Sequence, residues 1–334
     1  MREMKEMLIE VVEKMLKDHV DKEAVDVLEK GEWGEGLWTL LQENGMIDIA
    51  VPEAQDGAGG DKADLFAVYD LIGKYAAPIP FIEHTLANVL LNEVGEQAQQ
   101  TLTTYAIVDE WTNVLPLVPW ARYASQVVVV TPEKLSVWPL ADAQIDPSTN
   151  LASEPRDTVT FATTAPTVEV TLSAAQYEQL LTLVTVATVV KSAGAIDQAV
   201  DLTVRFSKER EQFGRPIHRF QMVQQHLAQI AGEQAIVRAA AENLLFSFDP
   251  QETGYARLRL EDAIRIVAAS AHQVHAAIGV TDEHSLNHFT RRLWAWRDEA
   301  VKASYWKQVL VDQVLASDTD IWTALTTSKQ TQNV

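Results

Sequence analysis

RFSKEREQFGRPIHRFQMVQQHLAQIA, residues 205–231, is the stretch on which the reading of this chain turns. Arg205, Arg210, Arg215 and Arg219 fall within fifteen positions of a chain whose formal net charge is −20. Before the turn, Ile196, Ala199, Val200 and Val204 recur at helical spacing; after it, Phe220, Val223, Leu227, Ile230 and Ala231 do the same. Between them, Gly214 and Pro216 punctuate the pattern, and Pro216 biases Arg215 away from helical geometry. The expectation is a helix, a sharp arginine-bearing turn and a second helix. Two readings of the arginines stand side by side. In one, they pair with the many carboxylates and the turn is a solvated hairpin. In the other, a basic turn beside a helix N-terminus is an anion site suited to phosphate or pyrophosphate.

The totals narrow the classes. At 334 residues the chain has room for two or three domains. Its 27 basic residues against 47 acidic ones speak against nucleic acid as a partner and against adhesion to an anionic membrane. It contains no cysteine, which excludes disulfides, thiolate catalysis and cysteine-bound metals. The opening MREMKEMLIEVVEKMLKDHV reads as a charged amphipathic helix rather than a signal peptide, and no apolar run approaches the ~20 residues of a membrane span. A cytoplasmic location is expected.

Residues 1–104 read as helical, with apolar helices at 37–42, 64–75 and 82–94 and a short extended piece at 46–52. The glycine-rich loop 53–61 lacks the lysine and hydroxyl of a phosphate-binding loop. Between 105 and 172 the texture is β: 126–131, 135–139, 158–162 and 167–172 alternate or run as strands. That segment is too short for a doubly wound nucleotide fold. From 173 to 334 the helical period returns, with helices at 176–198, around the opening stretch, at 257–278 and at 293–315, a loop at 250–254, and a polar tail from Ser317. The fold class is therefore mainly α with a small β insert, divided at 1–104, 105–172 and 173–334.

Three segments resemble the acyl-CoA dehydrogenase family: Arg210-Glu211-Gln212-Phe213-Gly214-Arg215-Pro216-Ile217 with Phe220-Gln221, Met46 to Gly60, and Gln273 to His284. The resemblance implies an N-terminal helical domain, a middle β domain and a C-terminal four-helix bundle. It implies FAD, an acyl-CoA substrate, an electron-transfer acceptor, and a homo- or hetero-oligomer formed through the C-terminal helices. Carried over by position, Arg210, Gln212, Phe213, Ile217, Phe220 and Gln221 meet the FAD of a neighbouring subunit, and Gln273 and Gly279 approach that nucleotide from the other subunit. The implied activity is α,β-dehydrogenation of the thioester, with a carboxylate base and flavin as hydride acceptor.

The chain also departs from the family pattern. It lacks the Thr-Glu-Pro-x-Ala-Gly-Ser-Asp and Trp-x-Thr-Asn strands that hold the flavin ring, and Trp120 and Trp138 read as core. Ala276-Ala277 stand where relatives carry Gly-Gly. Counting to the family's base position lands on Ala300, which makes Glu299 the candidate catalytic base; the alternative position falls in the chargeless 180–190. Glu283 reads as a structural partner for Arg291 or Arg292. The histidines His272, His275, His284 and His288 lack a metal-ligand pattern, so no metal is expected. These departures resemble a branch in which two different subunits associate and one is reduced. A catalytic flavoprotein subunit and a non-catalytic subunit completing a partner's FAD site both follow, with a stand-alone flavin or acyl-CoA binder as a weaker third.

Overall fold

The computed structural model describes residues 2–162, 165–281, 283–299, 301–317 and 320–326. Five helices open the chain: α1 (Arg2–His19), α2 (Lys22–Asp26), α3 (Glu35–Glu43), α4 (Lys62–Tyr75) and α5 (Phe81–Glu93). Their starts are local events. Asp21 and Asp61 accept the backbone N–H of Ala24 and Asp64 at 2.8 and 2.7 Å, satisfying amides that the helices leave open. The segment expected to be extended at 46–52 begins instead as a 3-10 turn, Met46–Asp48, with Ile47, Ile49 and Val51 buried. A short apolar run buries equally well in either conformation, so its pattern does not discriminate.

Seven strands follow: β1 (Thr103–Ile107), β2 (Val114–Pro119), β3 (Gln126–Val130), β4 (Lys134–Pro139), β5 (Gln144–Asp146), β6 (Arg156–Thr160) and β7 (Val168–Thr171). They form two sheets, ordered β1-β3-β4-β7 and β2-β6-β5, with only the β1–β3 pairing parallel. The valine run of β3 is explained by burial on both faces. Val127 and Val129 join Leu115, Val118, Trp138, Val159 and Phe161 in a small core, while Val128 and Val130 face the main helical core. Trp120 and Trp138 are both buried. Strands β1, β2 and β5 are additions to the sequence reading. Two prolines interrupt β2, three residues are all of β5, and β1 follows directly on helical text.

The remainder is helical: α6 (Ala174–Glu209), a two-residue hairpin of β8 (Glu211–Gln212) and β9 (Arg215–Pro216), then α7 (Gln221–Ser247), α8 (Pro250–His275), α9 (Leu286–Asp298), α10 (Ala303–Ala316) and α11 (Ile321–Thr326). Three corrections to the sequence reading appear here. The helices expected at 176–198 and before the turn are one helix of 36 residues, started by a Ser173–Gln176 capping box. The expected loop at 250–254 is the first turn of α8, where Asp249 caps and Pro250 occupies a position that needs no N–H. The helix expected at 293–315 breaks at Glu299.

Helix α6 is the axis of the molecule, packed against α4, α7, α8 and α9. It is the one helix among the described residues long and apolar enough to cross a bilayer, and nearly all of that stretch is buried within the protein. The chargeless run 180–190 is thus core. Helix α4 crosses α6 backbone to backbone. A Cβ on Gly73 would collide with the carbonyl of Lys191, and one on Gly194 with the carbonyl of Asp70. Arg238 of α7 then ion-pairs with both Asp70 of α4 and Asp197 of α6.

Candidate functional site

Helix α6 ends at Arg210, and the chain reverses in a hairpin whose central residues, Phe213 and Gly214, have φ of 52° and 76°. Turns of this kind take left-handed residues at both positions, usually Asn-Gly or Asp-Gly. Gly214 meets that demand freely, whereas Phe213 carries the strain of a bulky residue at positive φ. Phe213 is nevertheless 93 % exposed. The base of the hairpin is fixed: Ile217 donates its N–H to the Arg210 carbonyl at 2.8 Å, and its side chain is buried. Above that anchor, the Arg215 guanidinium lies 4.2 Å over the Phe220 ring, and Phe213 meets Phe220 edge-on at 6.1 Å. Arg210, Gln212 and Gln221 are exposed. Among the described residues, none of Arg205, Arg210, Arg215 and Arg219 ion-pairs with a carboxylate. The reading in which the arginines serve the chain's own acids is therefore not what the fold adopts.

The Gln273–Val280 corner adjoins this hairpin. Phe206, on the last turns of α6, stacks on His275 at 4.4 Å and meets His284 edge-on. Gln273 is exposed on α8. Gly279 is buried in a 3-10 turn, Ala276–Val280, where a Cβ would stand 2.8 Å from that of His275. Its requirement for glycine is thus met by packing within the chain. Ala276, with φ 54° and ψ −139°, sits in a conformation that glycine adopts freely and alanine does not. The hairpin and the corner therefore share one end of one chain's bundle.

A second feature lies where the N-terminal helices, the two sheets and α6 and α9 meet. A cavity of about 300 Å³ is walled by Glu83, Tyr105, Arg156, Thr188, Lys191 and Trp296, with Leu117, Asp298, Glu299 and Lys302 among its other lining residues. Glu299 caps the C-terminus of α9, and both of its oxygens are engaged. Oε2 accepts from the Arg156 guanidinium at 2.7 Å, and Oε1 from the Asn150 amide at 2.7 Å. This tether breaks the helix that the sequence pattern would have continued. Glu154 accepts from Trp296 Nε1 at 2.9 Å and ion-pairs with Arg292 at 3.1 Å and Arg156 at 3.2 Å. Burial alone would raise the Glu154 pKa; Arg292, Arg156 and Lys191 hold it down at about 2. Arg291 pairs with Glu29 and Arg292 with Glu154, so Glu283 is not the partner of either. Of the histidines, His288 bonds to Asp26 at 2.7 Å, and His272 to Thr290 at 3.0 Å.

Comparison with known proteins decides the ancestry. Residues 2–107 match the profile of the acyl-CoA dehydrogenase N-terminal domain, and residues 175–296 that of the acyl-CoA dehydrogenase C-terminal domain. The chain belongs to the acyl-CoA dehydrogenase family. It is 29 % identical over 296 residues to the acyl-CoA dehydrogenase IpdE2 of Mycolicibacterium smegmatis, covering 87 % of this chain and 93 % of that relative. The IpdE2 of Mycobacterium tuberculosis is also 29 % identical, over 307 residues, covering 87 % and 91 %. In fold, the chain is similar to a Tcur3481–Tcur3483 steroid ACAD variant, with a TM-score of 0.83 at 21 % identity and coverage of 93 % and 97 %. The ChsE4–ChsE5 complex of Mycobacterium tuberculosis gives a TM-score of 0.83 at 18 % identity, covering 94 % and 98 %.

Within this family frame, the residues that sequence reasoning missed are Glu83, Glu154, Arg156 and Lys191. One signal was available. Lys191 is the single charged residue between Glu178 and Asp197, in an otherwise apolar helical text, and Glu83 stands likewise inside FIEHTLANVLL. A lone charge in a buried run requires a reason.

Proposed function

We propose that this chain is one subunit of an FAD-dependent acyl-CoA dehydrogenase in which it completes the nucleotide site of a partner subunit. The observation that carries the reading is the hairpin: four arginines without carboxylate partners among the described residues, in a chain of net charge −20, beside a strained and exposed Phe213. Such a donor set suits a flat ring joined to a diphosphate. Arginine offers forked donors to phosphate, and an exposed aromatic supplies a stacking face. Arg210, Gln212, Phe213, Phe220, Gln221 and Gln273 are the contacts proposed. Ile217 and Gly279, both buried, hold the two segments in place. FAD, when bound, supplies the hydride acceptor for α,β-dehydrogenation of the acyl-CoA. The heteromeric makeup of the ChsE4–ChsE5 and Tcur3481–Tcur3483 proteins supports two unlike subunits here.

The engagement of both Glu299 oxygens favours the non-catalytic version of this reading for the chain itself. A base must be free to reach the proton it takes, and both oxygens of Glu299 are held by Arg156 and Asn150. We assign Glu299 to holding the 149–156 loop against α9, with the α-proton removed by a group of the partner.

The experiment is to purify the chain alone and co-expressed with a second family subunit, and to record the visible spectrum of each. The chain alone is expected to be colourless, and the complex to carry FAD that Arg210→Ala loosens at least tenfold. Stoichiometric flavin on the isolated chain, bleached by an acyl-CoA, would overturn the proposal.

A further inference from the structure

The corner that follows α8 is held to the hairpin end of α6 by three packed rings. Phe206 lies in the last turn of α6, where its carbonyl accepts the N–H of Arg210 at 2.8 Å, and Arg210 in turn anchors the hairpin through Ile217. His275 closes α8 and lies 4.4 Å from Phe206, nearly parallel to it. His284, in the turn before α9, meets His275 at 4.6 Å and Phe206 at 5.8 Å, edge-on to both. The corner sits directly on this stack. A Cβ on Gly279 would stand 2.8 Å from the His275 Cβ and 3.2 Å from His272 Nδ1. Ala276, next to His275, is kept at φ 54° and ψ −139°, a backbone conformation that persists only while its surroundings enforce it.

The hydrogen bonds fit neutral imidazoles. His275 Nδ1–H donates to the Ala271 carbonyl at 2.8 Å, since a carbonyl can only accept. His275 Nε2 is buried and has no partner among the described residues, so a proton there would make an unpaired buried donor. The Leu286 N–H donates to His284 Nδ1 at 3.1 Å, a bond that a protonated Nδ1 cannot accept. Thr290 gives its hydroxyl hydrogen to the Leu286 carbonyl at 3.3 Å and is left to accept from His272 Nε2 at 3.0 Å, while His272 Nδ1 is buried without a partner among the described residues. Charged and titratable groups act on the stack from two helices. Arg205 of α6 opposes protonation of His284 and Glu209 of α6 favours it; His272 of α8 opposes protonation of His275. Burial outweighs these, holding His275 down at about 4 and His272 and His284 below the ordinary histidine range.

We propose that Phe206, His275 and His284 form a proton-sensitive joint that fixes the 276–280 corner against the hairpin end of α6 while the imidazoles are neutral and releases it when they are protonated. They are positioning residues. Release relaxes Ala276 and gives the charged rings water. For His275 the ordinary value of 6.5 applies to the opened corner and about 4 to the closed one. Opening is therefore unaffected above pH 6.5 and increasingly favoured as the pH falls from 6.5 to 4. The joint stands on the packing of this chain alone. Its consequence, that a flavin nucleotide held at this end is released in acid, rests on the hairpin being a nucleotide contact.

The test uses the full chain in the assembly it forms. Hydrogen exchange of the 273–281 backbone, read by mass spectrometry and corrected for the intrinsic effect of pH, is expected to show protection at least tenfold lower at pH 5 than at pH 7.5. His275→Phe keeps the stack on Phe206 and removes the proton site, and is expected to cut that pH effect at least threefold. His284→Asn keeps an acceptor for the Leu286 N–H, is expected to act likewise, and carries the prediction if His275→Phe does not fold. Release of FAD from the co-expressed complex, followed by its visible spectrum, is expected to be faster at pH 5 and slowed by His275→Phe. A complex without flavin at pH 7.5 would sink the nucleotide reading of the hairpin and leave exchange to judge the joint. Equal flavin release at both pH values while the corner opens would overturn the link between the two. Corner protection that is the same at both pH values, or an acid loss that both variants leave unchanged, would overturn the joint itself.

Discussion

At the scale of single residues, Glu299 shows how a place reached by counting along the sequence separates from a role. The count along the family pattern reaches the end of α9, and the cavity is indeed there. What the count does not contain is Arg156 and Asn150, which lie more than a hundred residues away in sequence and occupy both carboxylate oxygens. Glu299→Gln is therefore expected to leave turnover of the assembled enzyme within about threefold. It should cost on the order of 1–2 kcal/mol of stability, a partly exposed ion pair being worth less than a buried one. Steady-state rates and urea midpoints on the same preparation separate the two effects; loss of turnover at unchanged stability would restore Glu299 as the base. Phe213 teaches the converse. Its place in the turn was legible from Gly214 and Pro216, but the positive φ and the full exposure emerge only when the hairpin closes.

At the scale of elements, two contacts set how the layers fit. The α4–α6 crossing depends on Gly73 and Gly194, each of which leaves room for a carbonyl of the other helix. Gly194→Ala is expected to cost about 3 kcal/mol or more, since the added methyl meets backbone rather than a movable side chain. Chemical denaturation measures it, and a change below about 1 kcal/mol would mean that the helices slide apart freely. The second contact joins α5 to β1. His84, fully buried, accepts the Thr103 N–H through Nδ1 at 3.2 Å, which requires that nitrogen to be unprotonated. Burial lowers its pKa from 6.5 to about 4. A histidine depressed in the fold contributes stability that is whole above pH 6.5 and is lost as the pH falls through 4. The loss attributable to His84 is about 3 kcal/mol at full protonation. His84→Gln is expected to flatten that part of the stability profile, read as melting temperature against pH.

At the scale of the molecule, the helices and the β insert were largely legible, while their joints were not. Periodicity located α3, α4, α5 and the strands β3 and β4 almost to the residue. It placed a loop at the start of α8 and a continuous helix across Glu299, because a proline at the first helical position and a tertiary ion pair both act outside the apolar pattern. The surface also points beyond one chain. Met222, Ile236 and Phe246 are exposed along α7, and Val311 and Leu315 along α10. Exposed apolar side chains of this kind on the outer helices fit assembly through the C-terminal helices. The protein of 37.1 kDa is expected to sediment as a larger species, and Ile236→Glu to shift it toward the monomer. Unchanged sedimentation of that variant would move the interface off α7.

Sequence alone determined the family, the mainly helical fold with its β insert, and the hairpin as the place to look for an anion. These depend on local preferences and on residues adjacent in the chain, where glycine, proline and apolar spacing act directly. Tertiary structure decided that the hairpin arginines stay free of carboxylates among the described residues, that Glu299 is tethered, and that Glu83, Tyr105 and Lys191 face one cavity. Those outcomes depend on which distant side chains compete for the same partner. Burial sets that competition, and no spacing along the chain encodes it.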